Sequence, residues 1–343
     1  DDVLNMRAAI AELSLSFTST RAPMDVHILF QVYDKNSSFA ASTTERERVL
    51  RNKIPEEFRN LTTLWSEDQM AAEYRGLPHT NMINNMSPHT WYRSSYMPLQ
   101  VFAKQHPEYS FFWNWESDVR VIGDMRNALE QFSDYAKGQP TSPNLEGMAT
   151  WPMTAAQDNA HQSQHHDLQH GVGTEADLIT LNPISDVPGS GWYWESDVQG
   201  YNEEALRFRK FSLGRSVRFS RALLESMNRA NAVDKRSMFT ESWPASLVHH
   251  SHLPDEPSLQ YSRGTLAPRM KAVYVPHPVF TNHAWDPAVL ERFLTRSDLF
   301  CPLARIGTRD FTFHDGPSQA DHDAYSAWLS GACRTRALVR SRH

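Results

Sequence analysis

Residues 25–34, DVHILFQVYD, form an apolar run rich in β-branched and aromatic side chains. Its composition and length predict a buried strand, not a helix, ending at Asp34. Residues 43–52, TTERERVLRN, then read as a helix opened by Thr44. A second strand is predicted at 60–66 and a helix over 67–75. Residues 76–90 are rich in Pro, Asn and Ser and read as loop, and 91–105 read as helix. The aromatic run at 109–115, YSFFWNW, predicts another buried strand, and a helix follows over 123–137. This alternation of strand and helix predicts a parallel sheet.

Beyond residue 137 the pattern loosens. Residues 138–175 carry Gly, Pro, polar residues and His161, His165, His166 and His170, the mark of a long irregular insertion. Residues 176–182, ADLITLN, read as a buried strand. Over 213–231, Val217, Leu223, Leu224 and Met227 alternate with Arg215, Arg218, Arg221 and Arg229, which predicts an amphipathic helix. Residues 271–279, KAVYVPHPV, read as a strand closed by Pro276 and Pro278, and a helix is predicted over 286–296. The expected organisation is an N-terminal extension (1–24), a single α/β domain (25–333) and a basic tail (334–343). The expected fold is a mostly parallel, Rossmann-like sheet with long loop insertions.

Composition narrows the function. The net charge of −6, without a basic stripe, excludes a nucleic-acid partner. No apolar run approaches the roughly 18 residues of a membrane span. The chain begins at Asp1, and an anchor or signal is expected upstream of it. Sequons at Asn36, Asn60 and Asn85 fit a glycoprotein of the secretory pathway. Cys301 and Cys333 fit one disulfide or two buried thiols.

The candidate chemistry centres on Glu116 and Asp118. They follow the strand at 109–115, and in extended chain their side chains share a face. Paired carboxylates at the carboxyl end of a buried strand suit Mg²⁺ or Mn²⁺, although a solvated loop has the same pattern. WNWESDV at 113–119 returns as WYWESDV at 192–198, but the second copy follows PGSG and reads as loop. Glu241 lies between Phe239 and Trp243, and a carboxylate desolvated by aromatics makes a general base. A helix cap or a surface acid fits the same spacing. Glu195 and Asp197 are next in line for that role. His249 and His250 are the histidines expected to reach a metal or a phosphate. Arg215, Arg218 and Arg221 would fall along one helical side facing a diphosphate, or solvent. The motifs of serine hydrolases, Walker nucleotidases and dinucleotide enzymes are absent from the sequence.

These segments resemble a fungal family known as domain of unknown function 3405, described as glycosyltransferase-like. The resemblance rests on HILFQVYD (27–34), HPEYSFFWNWESDVR (106–120), EADLITLNPI (175–184), GRSVRFSRALLESMN (214–228), MFTESWPASLVHH (238–250) and KAVYVPHPV (271–279). Acid-x-acid at a strand end is also similar to the metal and diphosphate motif of glycosyltransferases with the single-domain nucleotide-sugar (GT-A-like) fold. The resemblance implies a metal-dependent glycosyltransferase that moves a sugar from a nucleotide-sugar donor to a glycan or other hydroxyl acceptor. It implies Mn²⁺ or Mg²⁺ on Glu116, Asp118, His249 and His250. Gln31, Asp34, Arg120, Arg218 and His277 would contact the donor, and Glu241 would act as base. A Golgi-lumenal type II membrane precursor, or a secreted protein, is the setting implied. Two alternatives stand beside it: a metal-dependent hydrolase using the His-rich loops, and a non-catalytic carbohydrate-binding protein, which the ten Trp permit.

Overall fold

The computed structural model describes residues 2–15, 24–34, 37–78, 85–115, 125–141, 170–181, 184–190, 194–212, 216–252 and 269–275. In chain order it runs α1 (Asp2–Leu15), β1 (Ile28–Gln31), α2 (Thr43–Lys53), a 3₁₀ turn (Glu56–Leu61), β2 (Thr62–Trp65) and α3 (Glu67–Glu73). Then come α4 (Met97–Gln105), β3 (Phe111–Trp115), α5 (Met125–Gly138), β4 (Leu178–Thr180), β5 (Ser185–Asp186), β6 (Val198–Gln199) and α6 (Glu203–Arg207). The described chain closes with β7 (Lys210–Phe211), β8 (Ser216–Ser220), α7 (Arg221–Ala232), β9 (Ser237–Met238), α8 (Trp243–His250) and β10 (Ala272–Tyr274). The helix predicted at 286–296 and the tail lie outside the described residues.

Local chemistry sets these boundaries. Ser42, not Thr44, caps α2: its Oγ accepts from the Glu45 amide at 3.3 Å. Ser66 and Gln69 form a reciprocal capping box at α3. Ser220 ends β8 and caps α7, accepting from the Leu223 amide while donating to Asp177 Oδ1 at 2.7 Å. Ser220 thereby corrects the helix read over 213–231. Ser216–Ser220 alternates with period two, Val217 and Phe219 facing one way and Arg218 the other. Arg218 is therefore on a strand and Arg221 opens a helix, so these two do not share the expected helical side, and Arg215 lies outside the described residues.

Two sheets carry the core. β1 pairs in parallel with β2, Ile28 opposite Thr62 through Gln31 opposite Trp65. A four-stranded sheet has the order β10-β4-β8-β3. β4 and β10 are parallel, and β8 runs antiparallel to both β4 and β3. β3, β4 and β10 therefore point one way with β8 reversed among them. This corrects the single, mostly parallel sheet: β1 and β3 share no ladder, because β8 occupies one edge of β3 and the four-residue β1 pairs with β2. The architecture is mixed α/β.

Both faces of the larger sheet are covered. Phe112, Phe219, Leu178 and Ala272 form one row, packed under Leu99 and Phe102 of α4, Leu223 and Met227 of α7, and Leu247 and Val248 of α8. Leu29 of β1 packs against this same cluster, so the two sheets share one core. On the opposite face, Trp113, Ile179 and Val273 meet α5, whose Met125, Ala128, Leu129, Phe132 and Ala136 follow helical spacing. Leu13 of α1 joins this layer, and Glu12 accepts the Met125 amide at 2.8 Å, so the N-terminal segment is packed into the fold. Each fully buried aliphatic or aromatic side chain here is worth about 1.5–3 kcal/mol.

The start of the long insertion is tied to its end. The Thr141 amide donates to the His170 carbonyl at 2.7 Å, and the Gly173 amide to the Lys137 carbonyl at 2.9 Å. Lys271 is 2% exposed, and its ammonium donates to the carbonyls of Lys137, Gly171 and Thr174 at 3.0–3.3 Å. It thus satisfies a carbonyl in the last turn of α5, where the helix leaves acceptors unpaired.

Candidate functional site

β1 delivers the chain to a crevice of about 480 Å³. The strand end supplies Gln31, Tyr33, Asp34 and Ser37, and α2 supplies Arg48, Asn52 and Lys53. The Val32 amide donates to the Trp65 carbonyl at 2.8 Å, which extends the β1–β2 pairing to the lip of the crevice. Gln31 Nε2 donates to Glu67 Oε1 at 3.3 Å. Arg48 is held by both oxygens of Glu45 at 2.7 Å, and the Ser37 hydroxyl also donates to Glu45 at 3.1 Å. Those bonds, Arg48 first, pull the Glu45 carboxyl down from its ordinary 4.5 to about 2. The Tyr33 ring is 72% exposed. A flat aromatic face, a carboxylate and two cations around one crevice can take a base, a ribose hydroxyl and a diphosphate.

Gln31 and Asp34 were read from the sequence. Arg48, Asn52 and Lys53 were missed, although their signal was present: Arg48 and Asn52 are one turn apart on the helix that follows the strand. Ser37 and Tyr33 gave no such signal.

Trp115 closes β3 opposite Ser216. Glu116, Asp118 and Arg120 follow it in sequence and lie outside the described residues, as do His161, His165, His166, His277, Cys301 and Cys333. Among the described residues, no group of three or more His, Cys, Asp or Glu could hold a metal ion.

Glu241 sits in the turn between β9 and α8. Its carbonyl accepts the Ser212 amide at 3.0 Å. The two aromatics expected to desolvate Glu241 flank a turn, in which the Ser242 amide donates to the Phe239 carbonyl at 2.9 Å. Phe239 stacks on Trp194 with centroids 4.2 Å apart and planes 7° apart. Trp243 opens α8 ahead of Pro244, a residue suited to a first helical turn, and its indole N–H donates to the Tyr201 hydroxyl at 2.9 Å. The two rings are thus buried against different neighbours.

The second WESD copy is the wall against which this turn docks. β6 pairs with β9, and the Phe239 amide donates to the Asp197 carbonyl at 3.0 Å. Asp197 Oδ1 receives Arg93 Nε at 2.8 Å and a second guanidinium nitrogen at 2.7 Å, with both side chains fully buried. Arg93 also donates to the hydroxyls of Ser94 and Ser237, each at 3.1 Å. Burial pulls Arg93 down and pushes Asp197 up, each only partly offset by its partner. Asp197 is thus engaged in an ion pair and is not a spare base. Arg209 donates to the Glu195 carbonyl.

His249 and His250 end α8 in separate buried settings. His250 Nε2 bonds the Ala205 carbonyl at 2.9 Å, which requires that nitrogen to carry the proton. His249 lies beside the Phe208 ring, centroids 6.0 Å apart. Arg218 is committed to Glu175 at 2.9 Å, the Ala176 carbonyl at 2.9 Å and Ser133 at 3.1 Å, and its guanidinium lies 4.3 Å over the Phe111 ring. Phe111 and Ala176 lie at the amino ends of β3 and β4, so Arg218 leans away from Trp115 at the other end of β3. Burial lowers its pKa, offset by Glu175.

The molecule is thus a mixed α/β protein with a crevice of mixed apolar and charged lining at the carboxyl end of a parallel strand. A family profile described as protein of unknown function (DUF3405) matches residues 1–159 and 146–299, and the chain belongs to this family. No curated protein and no solved structure matches it. Among the described residues, no helix is long and apolar enough to cross a membrane.

Proposed function

We propose that this chain is a metal-dependent glycosyltransferase that binds its nucleotide-sugar donor in the crevice at the end of β1. One observation carries the reading: the wall from α2 offers Arg48 and Lys53, and the facing strand end offers Asp34 and the exposed Tyr33 ring. Tyr33 would stack on the base, Asp34 would accept from ribose, and the two cations would hold the diphosphate. The arrangement of strands supports a GT-A-like fold: a parallel pair beside a sheet in which one reversed strand separates β3 from β4. Glu116 and Asp118 are the residues that would hold Mn²⁺ or Mg²⁺, whose charge stabilises a departing nucleoside diphosphate. Glu241 would take the proton of the acceptor hydroxyl. A secretory, lumenal setting belongs to the same reading.

Thermal unfolding with UDP- and GDP-sugars, with and without Mn²⁺, tests it. A ligand that binds only the folded state adds about 2.7 kcal/mol at a hundredfold excess over its dissociation constant. A Mn²⁺-dependent rise in Tm is expected with at least one donor, and it should vanish in Arg48→Ala/Lys53→Ala. The reading fails if no nucleotide sugar raises Tm under either condition.

A further inference from the structure

Trp91 and Tyr92 expose large aromatic surfaces from a segment that is otherwise locked. They are 42% and 40% exposed, with ring centroids 6.0 Å apart and planes at 83°, so together they form an open corner. The residues beneath them are immobilised. Arg93 is fully buried on Asp197, and the Ser94 hydroxyl donates to the Pro88 carbonyl at 2.7 Å. The Thr240 amide donates to the Arg93 carbonyl at 2.9 Å, and the hydroxyls of Ser95 and Thr240 meet at 2.7 Å. Two rings held this rigidly in water give up little conformational freedom when a ligand covers them.

The surroundings of the corner say what would cover it. Tyr92 packs edge-on against Phe239 and Trp194, centroids 5.7 and 5.6 Å away, which brings it to the turn carrying Thr240 and Glu241. On its other side, the Trp91 amide donates to Glu67 Oε1 at 3.0 Å. That same oxygen accepts from Gln31 at the crevice of β1. One carboxylate therefore joins the aromatic corner to the donor crevice, and one turn joins it to Glu241. A pyranose ring has an apolar C–H face and a rim of hydroxyls. The two rings match the first, and Thr240 and Glu241 match the second. A lipid or an amphipathic helix would need a far wider apolar patch.

We propose that Trp91 and Tyr92 are a sugar-stacking platform that holds a glycan acceptor between the β1 crevice and Glu241. That the sugar is an acceptor rests on the transferase reading; that it binds here does not. Saturation-transfer NMR on the full chain, without nucleotide or metal, tests the platform. The probes are methyl glycosides and disaccharides of mannose, galactose, glucose and N-acetylglucosamine. Saturation should pass to the ring protons of at least one probe. Trp91→Ala and Tyr92→Ala should each weaken that probe by roughly tenfold. Trp91→Phe should retain most of the binding and the parent's Tm, whereas Tyr92→Ala also loses its edge contacts to Trp194 and Phe239 and should lower Tm modestly. The platform is refuted if no probe receives saturation, or if both alanine variants bind as the parent does. Glycoside binding without any nucleotide response would sustain the platform and remove the transferase. The reverse result would remove the platform alone.

Discussion

Asp197→Ala tests the most heavily buried charge pair in the described structure. The substitution leaves the Arg93 guanidinium fully buried with only hydroxyls from Ser94 and Ser237 in place of a carboxylate. Breaking a buried pair by removing one partner costs about 3–5 kcal/mol. That is a large share of a net stability of roughly 5–15 kcal/mol. The pair itself is not efficient. Arg93 places two nitrogens on the one oxygen Oδ1, and among the described residues Asp197 Oδ2 has no hydrogen-bond partner. Burial shifts both groups toward their neutral forms. An apolar replacement of both partners, Arg93→Met with Asp197→Val, should therefore recover most of the loss and come within about 1–2 kcal/mol of the parent. Urea unfolding followed by Trp fluorescence and far-UV circular dichroism gives the three stabilities. The reasoning is refuted if Asp197→Ala costs under about 1 kcal/mol, or if the double variant is no more stable than Asp197→Ala.

Phe219→Ala removes a ring that is 0% exposed at the centre of the four-stranded sheet, edge-on to Tyr96 at 4.8 Å. It should cost about 3–5 kcal/mol in the same urea assay, and a loss under about 1.5 kcal/mol would deny that α4, α7 and α8 close on β8. Glu45 has its pKa depressed to about 2, so its contribution is present above 4.5 and is lost as pH falls through about 2. Glu45→Gln should lower stability modestly at neutral pH, flatten the acid limb between pH 4.5 and 2, and converge on the parent near pH 2, as read by thermal unfolding across pH.

The elements most legible in the sequence were those with one dominant period. The strands near Ile28, Thr62, Phe111, Leu178 and Ala272 all formed, as did the helices following β1, β2 and β3. Burial alone specified them. The stretch from Ser216 to Ala232 was misread because Val217 fits a helical stripe with Leu223 and Leu224. The period-two alternation of Ser-Val-Arg-Phe-Ser, closed by a capping serine, was the competing signal. The reversal of β8 was not legible either, since strand direction depends on which neighbour offers a free edge. At the site, Gln31 and Asp34 could be read from a strand end, whereas Arg48 and Lys53 needed α2 to fold back over it. The two WESD copies are alike in sequence, yet the second serves the interior: Asp197 is buried on Arg93, a residue 104 positions away in the chain.

The hydrogen-bonded stem at Lys137, Thr141, His170 and Gly173, with Lys271 plugged into its carbonyls, makes the insertion a port in the molecule. Thr141 and His170 meet at one point of the described fold, and Lys271 ties that point to the segment that opens β10. A reporter domain, a purification handle or a short glycine linker spliced between Thr141 and His170 would therefore leave the sheet as it is. The stem offers a place to tether this protein to a surface without cutting a described strand or helix.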